Sequence, residues 1–156
     1  RGTEVSVVHD LMIHDIEIIL HIVNSPAREI HAIGVPILSP SEDIANVRIS
    51  FENGCVANLT SSRVSQKRLR QIRIFQEDTY VSLDYMEQSG QLLRISDKGI
   101  VPEEVPITKG EPLVAELSAF VECVRHHNDP VVTGQHASRA LDLAVEICQR
   151  IRESPS

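Results

Sequence analysis

Apolar and polar residues change their spacing three times along the chain, and each change marks a different kind of element. From about Val5 to Val23 the run VSVVHDLMIHDIEIILHIV is dense in Ile, Leu and Val, and Asn24-Ser25-Pro26 then stops it. This predicts a buried helix. From Glu29 to about Ile107, short β-branched runs alternate with turn residues, which is a strand pattern. Ala45, Val47, Ile49 and Phe51 alternate with Asn46, Arg48, Ser50 and Glu52; Asn53-Gly54 turns the chain, and Cys55, Ala57 and Leu59 continue the apolar face. That spacing predicts a hairpin with an Asn-Gly turn. Further strands are expected over 71–76, 79–85, 92–95 and 101–107, separated by Glu77-Asp78, Ser89-Gly90 and Asp97-Lys98-Gly99. Pro112 then suits a first helical turn, and Leu113, Leu117, Phe120 and Val124 recur at helical spacing as far as His127-Asn128-Asp129-Pro130. A last helix from about Gly134 to Arg152 carries Ala140, Leu143, Ala144, Ile147 and Ile151 on one face. The expected fold is α+β: a largely antiparallel open β-sheet of about six strands with an N-terminal helix and two C-terminal helices.

Composition narrows the partners. The 156 residues, 42% hydrophobic and 24% charged, suffice for one sizeable core. A formal net charge of −7 runs against nucleic acid or an anionic membrane surface, since both call for a concentrated positive field. Small molecules or protein partners fit better. Cys55, Cys123 and Cys148 lack CxxC spacing, so neither a disulfide framework nor a zinc site is suggested, and a reducing cytoplasm is expected. No apolar stretch reaches the roughly 20 residues needed to span a bilayer, and the N-terminus lacks a signal-peptide pattern. The chain opens at Arg1 rather than at a methionine, which suggests a piece of a longer protein.

The candidate chemistry lies on the first helix. At 100° per residue, Asp10, His14, Glu17 and His21 fall within about 60° of one another, and apolar residues cover most of the remainder. Four ionisable groups on an otherwise apolar helix are costly unless they pair or face a wet cleft. Asp10 and His14, four residues apart, are close enough to touch, and a carboxylate beside an imidazole suits a general acid/base working near neutral pH. A plain alternative is the solvated edge of an amphipathic helix. Another is a divalent-metal site built on the two His-Asp pairs of HDLMIHD, as in the all-helical HD phosphohydrolases, whose fold has no place for the strand run.

The string DLMIHDIE, Asp10 to Glu17, resembles the Asp-x-x-x-His motif at the start of a helix in the second domain of the Gfo/Idh/MocA family. Met12 stands where glycine is common in that motif, and Glu17 where aspartate is common. The resemblance continues through DIANVRISFENGCVANLTSSRVS (Asp43 to Ser65), EPLVAELSAFVECVR and PVVTGQHASRALDLAVEICQRI, covering nearly the whole chain. It implies that residues 1–156 form a C-terminal substrate-binding and oligomerisation domain, with a dinucleotide-binding Rossmann domain lying outside this chain. It further implies an NAD- or NADP-dependent oxidation or reduction of a hydroxyl on a sugar, sugar acid, inositol or nucleotide sugar. His14 would exchange the hydroxyl proton, and Asp10 would orient His14 and bind a substrate hydroxyl. A lysine of a Lys-Pro segment usually shares this work, but none of Lys67, Lys98 or Lys109 precedes a proline. A homodimer formed through the open sheet face is expected.

The seven glycines include no two separated by a single residue, so a GxGxxG fingerprint is impossible here. This chain alone is therefore expected to bind NAD(P) negligibly and to be inactive. Arg63, at the end of the hairpin's second strand, is a candidate substrate contact. Lys67, Arg68, Arg70 and Arg73 are read either as contacts for the phosphates of a nucleotide sugar or as a solvated strand face. His31 is read as structural, and His126, His127 and His136 as surface residues. The reading that competes with an enzyme is a non-catalytic dimerisation or binding module with a vestigial Asp-His pair.

Overall fold

A computed structural model describes residues 4–66 and 68–153. Lys67, read as part of the basic run, lies outside the described residues. Helix α1 (Ile13–Val23) is followed by β1 (Ala27–Val35), β2 (Ile44–Phe51) and β3 (Val56–Ser62). Next come β4 (Gln71–Phe75), β5 (Thr79–Asp84), β6 (Ser89–Ser96), β7 (Gly99–Glu104), α2 (Pro112–His126) and α3 (Gly134–Glu153). Every strand pairing is antiparallel, as expected. Among the described residues there are seven strands, arranged in two sheets, β1-β2-β3 and β4-β5-β6-β7. The chain divides into two compact units, residues 1–65 with 129–156, and residues 66–128.

The first unit holds the core. Alternation places Ala45, Val47, Ile49 and Phe51 of β2 and Leu59 of β3 on one buried face. The register Val47 to Leu59 and Ile49 to Ala57 keeps that face continuous across the hairpin. Cys55, expected on the same face, is exposed in the turn. The turn uses the Asn-Gly pair for more than chain reversal. Gly54 takes φ +87°, a conformation costly for any residue with a Cβ. Asn53 accepts from the Cys55 N–H at 3.0 Å and donates Nδ2 to the Val23 carbonyl at 3.2 Å. Asn53 thereby satisfies an orphan carbonyl at the end of α1. On α3, Ala140, Leu143, Ala144, Ile147 and Ile151 are buried in the predicted stripe and join Ile16 of α1 and the β2 residues in one cluster.

Thr133 starts α3: its hydroxyl accepts from the His136 N–H at 3.3 Å, and the His136 ring Nδ1 in turn accepts from the Thr133 N–H at 3.5 Å. This is a capping box with imidazole in place of the usual carboxylate. In the second unit, the four-stranded meander precedes α2, which opens with Pro112 in its first turn and ends at His127, a left-handed cap of φ 54°. The periodic residues Leu113, Leu117, Phe120 and Val124 of α2 are all exposed. No described helix is long and apolar enough to cross a membrane.

Candidate functional site

The segment ahead of α1 is not a plain α-helix. Val8–Met12 forms a π-helical turn, in which the Ile13 N–H reaches the Val8 carbonyl five residues back. Such turns are rare and concentrate at functional sites, because the extra residue re-aims the side chains around it. Ser6 anchors the start, its hydroxyl accepting from the Val8 N–H at 3.1 Å, while the Val7 N–H donates to the Glu42 carbonyl at 2.9 Å. Val8 and Met12 are fully buried, so the turn presents one side to the core and leaves Asp10 partly open to solvent.

Asp10 finds its charged partner across the chain rather than along the helix. Arg63, in the residue after β3, places Nη2 3.7 Å from Asp10 Oδ2 and Nη1 3.6 Å from Asp43 Oδ1. The same Nη2 donates to the Val5 carbonyl at 2.7 Å. No hydrogen bond or ion pair joins Asp10 to His14 among the described residues. The expected contact assumed uniform α-helical spacing, and the π turn places an extra residue within the turn that carries Asp10. His14 is exposed, Glu17 is half-buried, and His21 is exposed with its ring 6.2 Å from that of His136 in an edge-on arrangement. The structure therefore joins Asp10 to Arg63 and His21 to His136, and leaves His14 open to solvent between them in sequence.

Asp43 is the residue that sequence reasoning passed over. It is wholly buried, and its Oδ2 accepts the backbone N–H groups of Ile37, Leu38 and Ser39 at 2.7, 2.5 and 2.9 Å. The Ser39 hydroxyl donates to Oδ1 at 3.0 Å. Burial alone would raise this carboxyl's pKa, but these hydrogen bonds outweigh it and hold the group well below the usual carboxylate range. The readable signal was the turn-forming string Ser-Pro-Ser-Glu-Asp, since an aspartate closing such a loop often accepts its backbone donors.

A second buried cluster lies beside the first. Cys148 of α3 sits with Sγ 3.6 Å from Ser6 Oγ and 3.6 Å from His9 Nδ1. Burial pushes this thiol's pKa up despite the Ser6 contact, so it rests as a neutral thiol. Two further histidines take local partners: His31 lies 3.1 Å from Glu29 and His126 3.1 Å from Glu122, all exposed. Arg68, Arg70 and Arg73 are exposed. A shallow groove of about 350 Å³, lined by residues that include Arg28, His31, Glu146 and Arg150, contains none of the stripe residues.

Residues 3–81 match the family model described as the GFO/IDH/MocA C-terminal domain. The chain is also 30% identical, over 94% of its length, to UDP-N-acetylglucosamine 3-dehydrogenase of Acidithiobacillus ferrooxidans. The chain belongs to the Gfo/Idh/MocA family. Asp10, His14, Asp43 and Arg63 lie within residues 3–81. A solved structure of the Acidithiobacillus ferrooxidans enzyme superposes with a TM-score of 0.90 at 29% identity, covering 98% of this chain and 50% of that one. Levoglucosan dehydrogenase in complex with NADH shares the fold, with a TM-score of 0.81 at 13% identity over 94% of this chain and 48% of that one. The chain thus spans about half the length of the relatives it matches.

The described residues do not fit a dinucleotide. Gfo/Idh/MocA enzymes are expected to use NAD or NADP, yet all described strand pairs here are antiparallel and the described residues include no glycine-rich strand-to-helix turn to cradle a pyrophosphate. Nor do the described residues gather three or more His, Cys, Asp or Glu side chains in a metal-holding cluster.

Proposed function

We propose that this Gfo/Idh/MocA domain is the substrate-binding half of an NAD(P)-dependent oxidoreductase acting on a hydroxyl of a sugar, sugar acid or nucleotide sugar. The observation that carries the reading is the 30% identity, across almost the whole chain, to a UDP-N-acetylglucosamine 3-dehydrogenase. The local geometry supports it. His14 is an exposed imidazole free to meet a hydroxyl, and Asp10 is a half-exposed carboxylate held at a π turn. In this reading His14 exchanges the hydroxyl proton as general acid/base, and Asp10 receives a substrate hydroxyl and orients the imidazole once substrate is bound. Glu17 and His21 continue the polar wall. The nicotinamide supplies the redox chemistry and is held by a domain outside this chain.

The test is steady-state turnover of UDP-N-acetylglucosamine with NAD or NADP by the full-length protein. His14→Ala and Asp10→Asn are expected to lower kcat by about 10² to 10⁴. Near-normal turnover in both variants would leave the Asp-His pair vestigial and the domain a binding module. Titration calorimetry of this chain alone with NADH or NADPH is expected to give negligible heat. The same reading extends to a cytoplasmic homodimer through the outer face of the sheet, where Ile33 and Val56 lie exposed among polar residues. Light scattering that gives the monomer mass at high concentration would argue against it.

A further inference from the structure

We propose that Arg63 is a positioning residue that fixes the Asp10 carboxylate and is itself fixed by the buried Asp43. This rests on the reading of Asp10 as a working group.

Arg63 is tied to Asp43 twice. Its backbone N–H donates to the Asp43 carbonyl at 3.0 Å, and its Nη1 lies 3.6 Å from the Asp43 carboxylate. Asp43 has little freedom to move, because three backbone N–H groups and one hydroxyl converge on it. The other end of the arrangement is Asp10, whose side chain is 38% exposed and whose only ion pair among the described residues is with Arg63. Arg63 also donates to the Val5 carbonyl, just ahead of the π turn. A single guanidinium thus pins both the entry to the turn and the carboxylate the turn carries.

Stability does not account for an arginine at this place. Its side chain is only 10% exposed, and Nε and Nη1 are buried with no hydrogen-bond partner among the described residues. Buried, unsatisfied donors are costly, and a buried ion pair seldom outperforms a well-packed apolar replacement. What arginine adds is a permanently charged, planar fork able to face two carboxylates on different segments. Direct substrate contact fits less well, since Nε and Nη1 are sealed from solvent and Nη2 is already committed to Val5.

The experiment compares kcat and KM of the full-length enzyme on UDP-N-acetylglucosamine for Arg63→Met, Arg63→Lys, Asp43→Asn, Asp10→Asn and the Arg63→Met/Asp10→Asn double variant. Arg63→Met is expected to lower kcat about tenfold to a hundredfold with KM little changed, the usual reach of an outer partner on a functional group. Arg63→Lys should recover part of that loss. Asp43→Asn should lower kcat although Asp43 is sealed from any substrate. In the Asp10→Asn background the Arg63→Met loss should largely vanish. Losses that multiply in full, or wild-type kcat in Asp43→Asn, would overturn the positioning role. Wild-type kcat in Asp10→Asn would overturn the proposed function and the positioning role together. Should Arg63→Met fail to fold, Arg63→Lys and Asp43→Asn carry the comparison. Independently of substrate, an Asp10 carboxylate that keeps its place in a crystal structure of Arg63→Met or Arg63→Lys would overturn the role.

Discussion

Truncating Phe51 to alanine tests the account of the core. Phe51 is fully buried, ends β2 opposite Ala27, and donates its N–H to the Cys55 carbonyl at 2.9 Å where the Asn53-Gly54 turn begins. Removing the ring deletes an aromatic surface of roughly 150 to 250 Å² from an interior with little room to collapse, because Ile16, Ile49 and Ile147 of the same cluster are also fully buried. The expected cost of Phe51→Ala is about 3 to 5 kcal/mol, made up of lost transfer energy plus a residual cavity. Set against a typical total of about 5 to 15 kcal/mol, this is a large fraction. Native-state hydrogen exchange at the Val47 and Ile49 amides is the direct readout. At about 1.36 kcal/mol per decade, protection should fall by about 10² to 10⁴ if these amides exchange through opening of the whole unit. A fall of less than about tenfold would mean that the ring does not fill this core, and the packing argument for β2, α1 and α3 would fail with it.

Other outcomes follow from the two buried titrating groups. Asp43 is held below the ordinary carboxylate value in the folded chain, so the stability it contributes is fully present above about pH 4 and is lost as pH falls below that toward its depressed native value. Thermal melts from neutral pH downward should therefore show a shallower acid decline in Asp43→Asn than in wild type; parallel declines would refute the assignment. Cys148 is buried with its pKa pushed up by burial, whereas Cys55 is exposed in a turn. A maleimide at neutral pH, followed by peptide mapping, should label Cys55 quickly and Cys148 only on unfolding. Equal native rates would contradict the packing of Cys148 against Ser6.

Strand and helix placement was legible where a period persists over many residues. The alternation Ala45, Val47, Ile49, Phe51 and the α3 stripe from Ala140 to Ile151 appear in the structure with the faces assigned to them. Element ends were less legible: the pair Ser89-Gly90 has the composition of a turn, yet both residues belong to β6, where Gly90 packs closely against Leu83 and Ile107. Hydrophobic pattern says little there, because tertiary contact rather than propensity extends the strand. The candidate site was half legible. A polar stripe marks Asp10, His14, Glu17 and His21, but a wheel drawn at a constant 100° has no means of showing a π turn. Asp43 and Arg63 escaped notice as a pair because they are 20 positions apart in sequence and meet only through the folding of β2 against β3.

The π turn at Val8–Met12 differs from an α-turn by one residue of backbone. A single-codon deletion within it would restore an ordinary helix and rotate what precedes it by roughly 100° relative to α1. Asp10 would then swing away from Arg63 although Asp10, His14 and Arg63 all remained encoded. A gene lineage could in this way lose the Asp10–Arg63 pair while a position-by-position inspection of the motif residues still counted them all present. The spacing between Asp10 and the start of α1 carries as much heritable information as the identities of the residues themselves.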